Sequence, residues 1–79
     1  MSDDIVEVRA ADYGDPVANH ERIARMWTGY LGFDVSAHDV AMMFILAKVS
    51  RMKVTPGHAD SITDIDGYAR IAGKIAARG

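Results

Sequence analysis

The centre of the chain reads SAHDVAMMFILAKVSRM over residues 36–52. Ser36 and Asp39 have the spacing of a capping box, with Asp in place of the usual Glu, which predicts that a helix begins here. Residues 40–47 are all apolar, and a helix without a polar face is typically buried on all sides. Two other helices of one chain cannot enclose it completely. We therefore expect this helix to lie at the centre of a homo-oligomer, a dimer or a tetramer.

A second helix is predicted before this segment. Asp15 is typical of an N-cap and Pro16 of the first helical position. Gly32 is typical of the residue that ends a helix in the left-handed conformation, so the helix should run from residue 16 to about residue 31. The expected apolar stripe of this helix contains His20, Ile23, Ala24, Trp27, Tyr30 and Leu31.

A third helix should follow the break at Thr55-Pro56-Gly57, after the central helix ends near Met52. It starts near His58, Asp60 or Ser61, the candidate caps, and runs to about Ala77. Its expected buried stripe contains Ile62, Ile65, Tyr68 or Ala69, Ala72 and Ile75. The predicted fold class is all-α: a single three-helix domain over residues 12–79, preceded by an N-terminal arm over residues 1–11.

Composition excludes several classes of function. The chain has 79 residues, no cysteine and a net charge of −2, so disulfides and thiolate metal sites are excluded and no duplex DNA is expected as a partner. The apolar run at residues 40–47 is far too short to cross a membrane. The first residues lack the basic start and apolar core of a signal peptide. These features favour a cytoplasmic protein.

Charged residues at the end of the central helix form the first candidate site. Lys48 and Arg51 lie three residues apart and directly follow the apolar run, and a buried cation needs a partner. Asp60 and Asp64 share a face of the next helix, so an antiparallel pair of helices would bring the four residues together. They are either a structural ion-pair network or a site in which the cations bind phosphate.

Further polar residues complete the candidate set. Asp60 and Asp64 offer the hard oxygen ligands that Mg²⁺ prefers, and Glu21 is a third candidate metal ligand. The turn before the first helix and the polar start of the third helix supply the remaining side chains. The candidate ligand-binding residues are Lys48, Arg51, Asp60, Ser61, Asp64, Tyr68, Asp12, Tyr13, Asp15 and Asn19.

Residues 12–32 read DYGDPVANHERIARMWTGYLG, and residues 36–69 read SAHDVAMMFILAKVSRMKVTPGHADSITDIDGYA. Together these two segments resemble a family of small proteins of tailed phages. The resemblance covers about residues 12–72. It rests on the order of a DYGD turn, a helix that carries Asn19, a helix that ends in Lys-x-x-Arg, and a helix with Asp-Ser-x-x-Asp-x-x-Gly-Tyr. If the chain is phage-encoded, the host cytoplasm is its expected location. It carries no assigned function.

The same order of motifs along the chain more distantly resembles that of the MazG-like all-α nucleotide pyrophosphohydrolases. That resemblance implies a magnesium-dependent enzyme that uses two pairs of acidic ligands and assembles as a dimer or tetramer. Asp64 matches the last acid of the second pair, but Ser61 stands where its glutamate partner is expected. Glu21 matches one acid of the first pair, with Ala24 or Ala18 in the place of the other.

Three functions remain open on these observations. The first is binding of a nucleotide or nucleotide-derived phosphate ligand, with or without MazG-like pyrophosphohydrolase activity. The second is a phage sponge that sequesters a host nucleotide signal without turnover. The third is a purely structural helical oligomer, in which the charged residues are interior ion pairs.

Overall fold

Three helices form the part of the chain that the structure, a computed structural model, describes, which is residues 14–78. They are α1 (Pro16–Leu31), α2 (Ala37–Val54) and α3 (Ala59–Arg78). No strand occurs in this range, which confirms the all-α prediction. The expected N-terminal arm, residues 1–11, lies outside the described residues.

Both predicted caps of α1 are present. The Asp15 side chain accepts a hydrogen bond from the Val17 backbone N–H at 3.1 Å, so it satisfies one of the donors that have no partner within the first turn. Gly32 has φ 82°, and its N–H donates to the Thr28 carbonyl at 2.9 Å. A residue with a Cβ is strained in this left-handed conformation, which is why glycine ends the helix.

The predicted capping box begins α2. The Asp39 N–H donates to Ser36 Oγ, and the Ser36 N–H donates to Asp39 Oδ2, both at 3.0 Å. These bonds hold the pKa of Asp39 below its usual value, because the Ser36 N–H stabilises the carboxylate. The helix continues to Val54, two residues beyond the predicted end.

The core lies between the three helices. α3 packs extensively along α2, and α1 packs against α2 with a smaller contact to α3. Most of the buried apolar residues are small, which lets the helices approach closely. They are Val17, Ala24, Val40, Ala41, Ile71 and Ala72.

Two of the expected apolar stripes are partly wrong. The end of α1 is exposed: Tyr30 is 89% and Leu31 44% accessible, because α1 makes little contact with α3 and nothing covers its last turn within the described residues. On α3, Ile62 is 51% accessible. Of the two alternatives Tyr68 and Ala69, Tyr68 is half-buried and Ala69 is exposed.

The buried face of α3 differs from the predicted one at the start of the helix, whereas Ala72 is buried as predicted. It contains Ser61, Gly67, Ile71 and Ala72. One residue corresponds to about 100° around a helix, so the burial of Ser61 turns Ile62 toward solvent.

The far side of α2 is uncovered in the single chain. Met43 is 45%, Leu46 64% and Val49 47% accessible. Two helices therefore do not enclose α2, as expected from its apolar run, and its place at the centre of an oligomer stays a prediction.

Candidate functional site

Lys48 and Asp64 form an ion pair where α2 faces α3. Lys48 Nζ lies 3.0 Å from Asp64 Oδ2, and the two side chains are 34% and 18% accessible. The short turn at residues 55–58 makes the helices antiparallel, so a residue late in α2 meets a residue early in α3. The predicted approach of Lys48 to an aspartate of α3 is confirmed.

Arg51 has a different partner from the predicted one. Within the described part of the chain its guanidinium contacts neither Asp60 nor Asp64; Arg51 Nη2 lies 3.4 Å from His58 Nε2. Arg51 lies one turn closer to the hairpin turn than Lys48. In the antiparallel pair, its side chain therefore reaches a point one to two turns before Asp64. His58, which directly precedes α3, lies at that point, whereas Asp60 is exposed.

His58 is the N-cap of α3. Its backbone carbonyl accepts from the Ile62 N–H at 3.2 Å, and its Nδ1 lies 3.2 Å from the Ser61 backbone nitrogen. The Ser61 hydroxyl is buried and lies 2.8 Å from the same nitrogen. Histidine is not among the usual capping residues, but it was one of three candidates at this position. Its place beside Arg51 was not predicted.

The His58 ring contacts Arg51 at one nitrogen and Ser61 at the other. A guanidinium can only donate, so the bond from Arg51 Nη2 makes Nε2 the acceptor and places the ring proton on Nδ1, which then donates to Ser61 Oγ at 2.8 Å. The Ser61 backbone N–H donates to Nδ1 only in the other tautomer, in which Nε2–H faces the guanidinium. The exposed end of the α2–α3 hairpin therefore carries a guanidinium and an imidazole in contact.

Tyr68 belongs to an aromatic cluster. Its ring stacks on Phe44 with centroids 5.1 Å apart, and Phe44 also makes edge contacts with His20 and Trp27, each at 5.7 Å. The ring of Tyr68 therefore packs within the helix interface. A role for Tyr68 in ligand binding stays a prediction.

His20 is a core residue with one unsatisfied nitrogen. Its Nδ1 donates to the Pro16 carbonyl at 2.9 Å, and its side chain is 3% accessible. Nε2 is buried and has no hydrogen-bond partner among the described residues. Burial lowers the pKa of His20, against the smaller opposite effect of the hydrogen bond to Pro16. The imidazole is therefore neutral in the folded protein near pH 7.

The remaining predicted residues are dispersed. Asp15 caps α1 and contacts Arg78 at 3.3 Å, and Asn19 accepts from Arg22 at 3.2 Å. Glu21 is exposed on α1. Asp12 and Tyr13 lie outside the described residues.

No group of three or more metal-binding side chains occurs within residues 14–78. The proposed ligands Asp60, Asp64 and Glu21 thus do not form a protein cage for Mg²⁺. In the same range no helix is long and apolar enough to cross a membrane.

Comparison with known proteins connects the chain to phages. Residues 2–76 match the profile of a domain of unknown function, DUF6378. The chain belongs to this family. It is 46% identical over 68 residues to the Gene 55 protein of Mycobacterium phage L5 and 43% identical over 67 residues to the Gene 55 protein of Mycobacterium phage D29.

Each alignment covers 85% of this chain and 44% of the relative, so the DUF6378 chain spans less than half the length of these phage proteins. No solved structure matches it. The predicted resemblance to a phage family is confirmed, whereas the more distant resemblance to MazG-like enzymes stays a prediction.

Proposed function

We propose that this DUF6378 chain binds a phosphate-bearing ligand, a nucleotide or a nucleotide-derived anion, at the end of the α2–α3 hairpin. The observation that carries the proposal is the meeting of the Arg51 guanidinium and the His58 imidazole, with Nη2 and Nε2 3.4 Å apart. A phosphate oxygen at this point would accept from the guanidinium, and also from Nε2 in the tautomer that places the ring proton there. Hydrogen bonds from a guanidinium to phosphate are charge-assisted and stronger than neutral ones.

The surroundings favour an anion at this point. His58 caps a helix of 20 residues, and the N-terminus of a helix carries a partial positive charge. Lys48 neutralises Asp64 through the 3.0 Å ion pair, so the aspartate repels an anion less. Lys48 therefore supports the site by pairing with Asp64, and Arg51 supplies the charged contact.

Nucleotide specificity and turnover are further steps of the proposal. They rest on the order of residues that resembles the MazG-like group. The proposal includes no step at a protein-bound metal, because residues 14–78 contain no cluster of metal ligands. Magnesium would enter with the phosphates of a nucleotide. Binding without turnover would make the protein a sponge.

A binding assay tests the proposal. Isothermal titration and thermal melts with inorganic phosphate, pyrophosphate, ATP, GTP and dATP, with and without Mg²⁺, should reveal binding that weakens as salt is added. Arg51→Gln should weaken binding by roughly tenfold to a hundredfold, the equivalent of one charge-assisted hydrogen bond. His58→Asn keeps an acceptor for the Ser61 N–H and should weaken it less.

Lys74→Gln is the matched control, because Lys74 is an exposed cation elsewhere on α3. It should leave binding unchanged. Absence of binding to every compound, or an Arg51→Gln protein that binds as tightly as the parent, would refute the proposal. Release of pyrophosphate from a bound triphosphate would distinguish an enzyme from a sponge.

A further inference from the structure

The outer side of α2 carries a stripe of exposed residues with a regular spacing. Asp39, Met43, Leu46, Ser50 and Lys53 follow one another at intervals of four, three, four and three residues, and all five are exposed. This is the spacing of a coiled-coil seam, which keeps the residues on one side of a helix. We call these five residues the outer stripe.

In an antiparallel pair of two copies, the charged ends of the outer stripe would have opposite signs where they meet. Asp39 lies seven residues before Leu46 and Lys53 lies seven residues after it, which is about 10 Å along the helix in each direction. The two apolar residues, Met43 and Leu46, lie between the charged ends. The carboxylate of Asp39 is ionised, because the Ser36 N–H stabilises it.

We propose that α2 pairs antiparallel with α2 of a second copy of this chain, about a two-fold axis at Leu46. Leu46 then meets Leu46 of the second copy, and each Asp39 meets a Lys53. A parallel pairing would place like charges together at both ends. A two-fold interface requires one surface that complements itself. The outer stripe meets this requirement in charge and in the central Leu46, and Met43 of each copy lies beside Ser50 of the other.

The interface leaves the proposed phosphate site accessible. Arg51 is five residues from Leu46, and at about 100° per residue it lies on a different side of α2. The two proposals can therefore fail separately: loss of the dimer would leave phosphate binding measurable, and loss of phosphate binding would leave the dimer.

Charge reversal provides the test. Sedimentation velocity over a concentration series should show a dimer for the parent protein. Leu46→Glu should give a monomer with an unchanged helix content by circular dichroism. Lys53→Glu and Asp39→Lys should each weaken the dimer by about tenfold or more, because each substitution creates two repulsive contacts per dimer.

Mixing the two charge variants should restore the dimer. A heterodimer of Lys53→Glu with Asp39→Lys has opposite charges at both ends, so an equimolar mixture should dimerise more tightly than either variant alone. Lys74→Glu makes the same charge change on α3 and should have no effect. A parent protein that is monomeric at micromolar concentration, an assembly that survives Leu46→Glu, or a mixture that shows no rescue would overturn the proposal.

Discussion

Replacing His20 by Leu should make the protein more stable. Leaving a buried acceptor without a donor costs about 1–3 kcal/mol, and the hydrogen bond from Nδ1 to Pro16 contributes about 0.5–1.5 kcal/mol. Leu removes both groups and keeps an apolar side chain of similar size against Phe44 and Tyr68. We therefore expect a net gain of about 1 kcal/mol at pH 7.5, or about 4–8 °C in Tm for a domain of this size.

The gain should increase as the pH falls. Burial lowers the pKa of His20 in the folded protein, whereas in the unfolded chain it is about 6.5. Below pH 6.5 the unfolded state of the parent protein therefore binds a proton that the folded state does not. This costs up to about 1.4 kcal/mol of stability per pH unit until the folded pKa is reached. The Leu variant does not pay this cost.

Denaturant unfolding at about pH 7.5, 6 and 5 measures both effects, because these pH values lie above and below the ordinary pKa of histidine. His38→Gln is the control: His38 is exposed on α2, and the variant should follow the pH dependence of the parent protein. The reasoning would be refuted by a His20→Leu protein that is destabilised by more than about 1 kcal/mol and whose difference from the parent does not change with pH.

The remaining predictions concern caps and the ion pair. A double-mutant cycle of Lys48→Met and Asp64→Asn should give a coupling free energy of about 1 kcal/mol, because the partly accessible pair should be stronger than an exposed ion pair and weaker than a buried one. A coupling near zero would contradict a formed ion pair. Ser36→Ala should cost about 1 kcal/mol in thermal melts, and Lys74→Ala, an exposed control on α3, should not. Gly32→Ala should lower stability by about 1–2 kcal/mol because of the left-handed backbone; an unchanged Tm would contradict this.

The bounds of the helices could be predicted from the sequence because capping is local. Asp15, Ser36 and Gly32 each bond to a backbone group within four residues, so neighbours along the chain are sufficient to identify them. The ion pair between Lys48 and Asp64 was also predictable. A short turn makes the two helices antiparallel, and this brings the end of α2 to the start of α3.

The contacts across the helices required the folded structure. The partner of Arg51 and the buried face of α3 depend on how far each helix is rotated about its own axis. An error of one residue changes that rotation by about 100° and exchanges Ile62 for Ser61 in the interface. Side chains of two helices select the rotation together, so the sequence of either helix alone does not specify it.

The sequence therefore specified three capped helices, an apolar α2 and a charged pair at the end of the hairpin. Tertiary packing selected two further features. It placed the His58 ring beside the Arg51 guanidinium, and it buried His20 with one unsatisfied nitrogen. Both features depend on distances between side chains on different elements, and those distances are fixed when the helices pack.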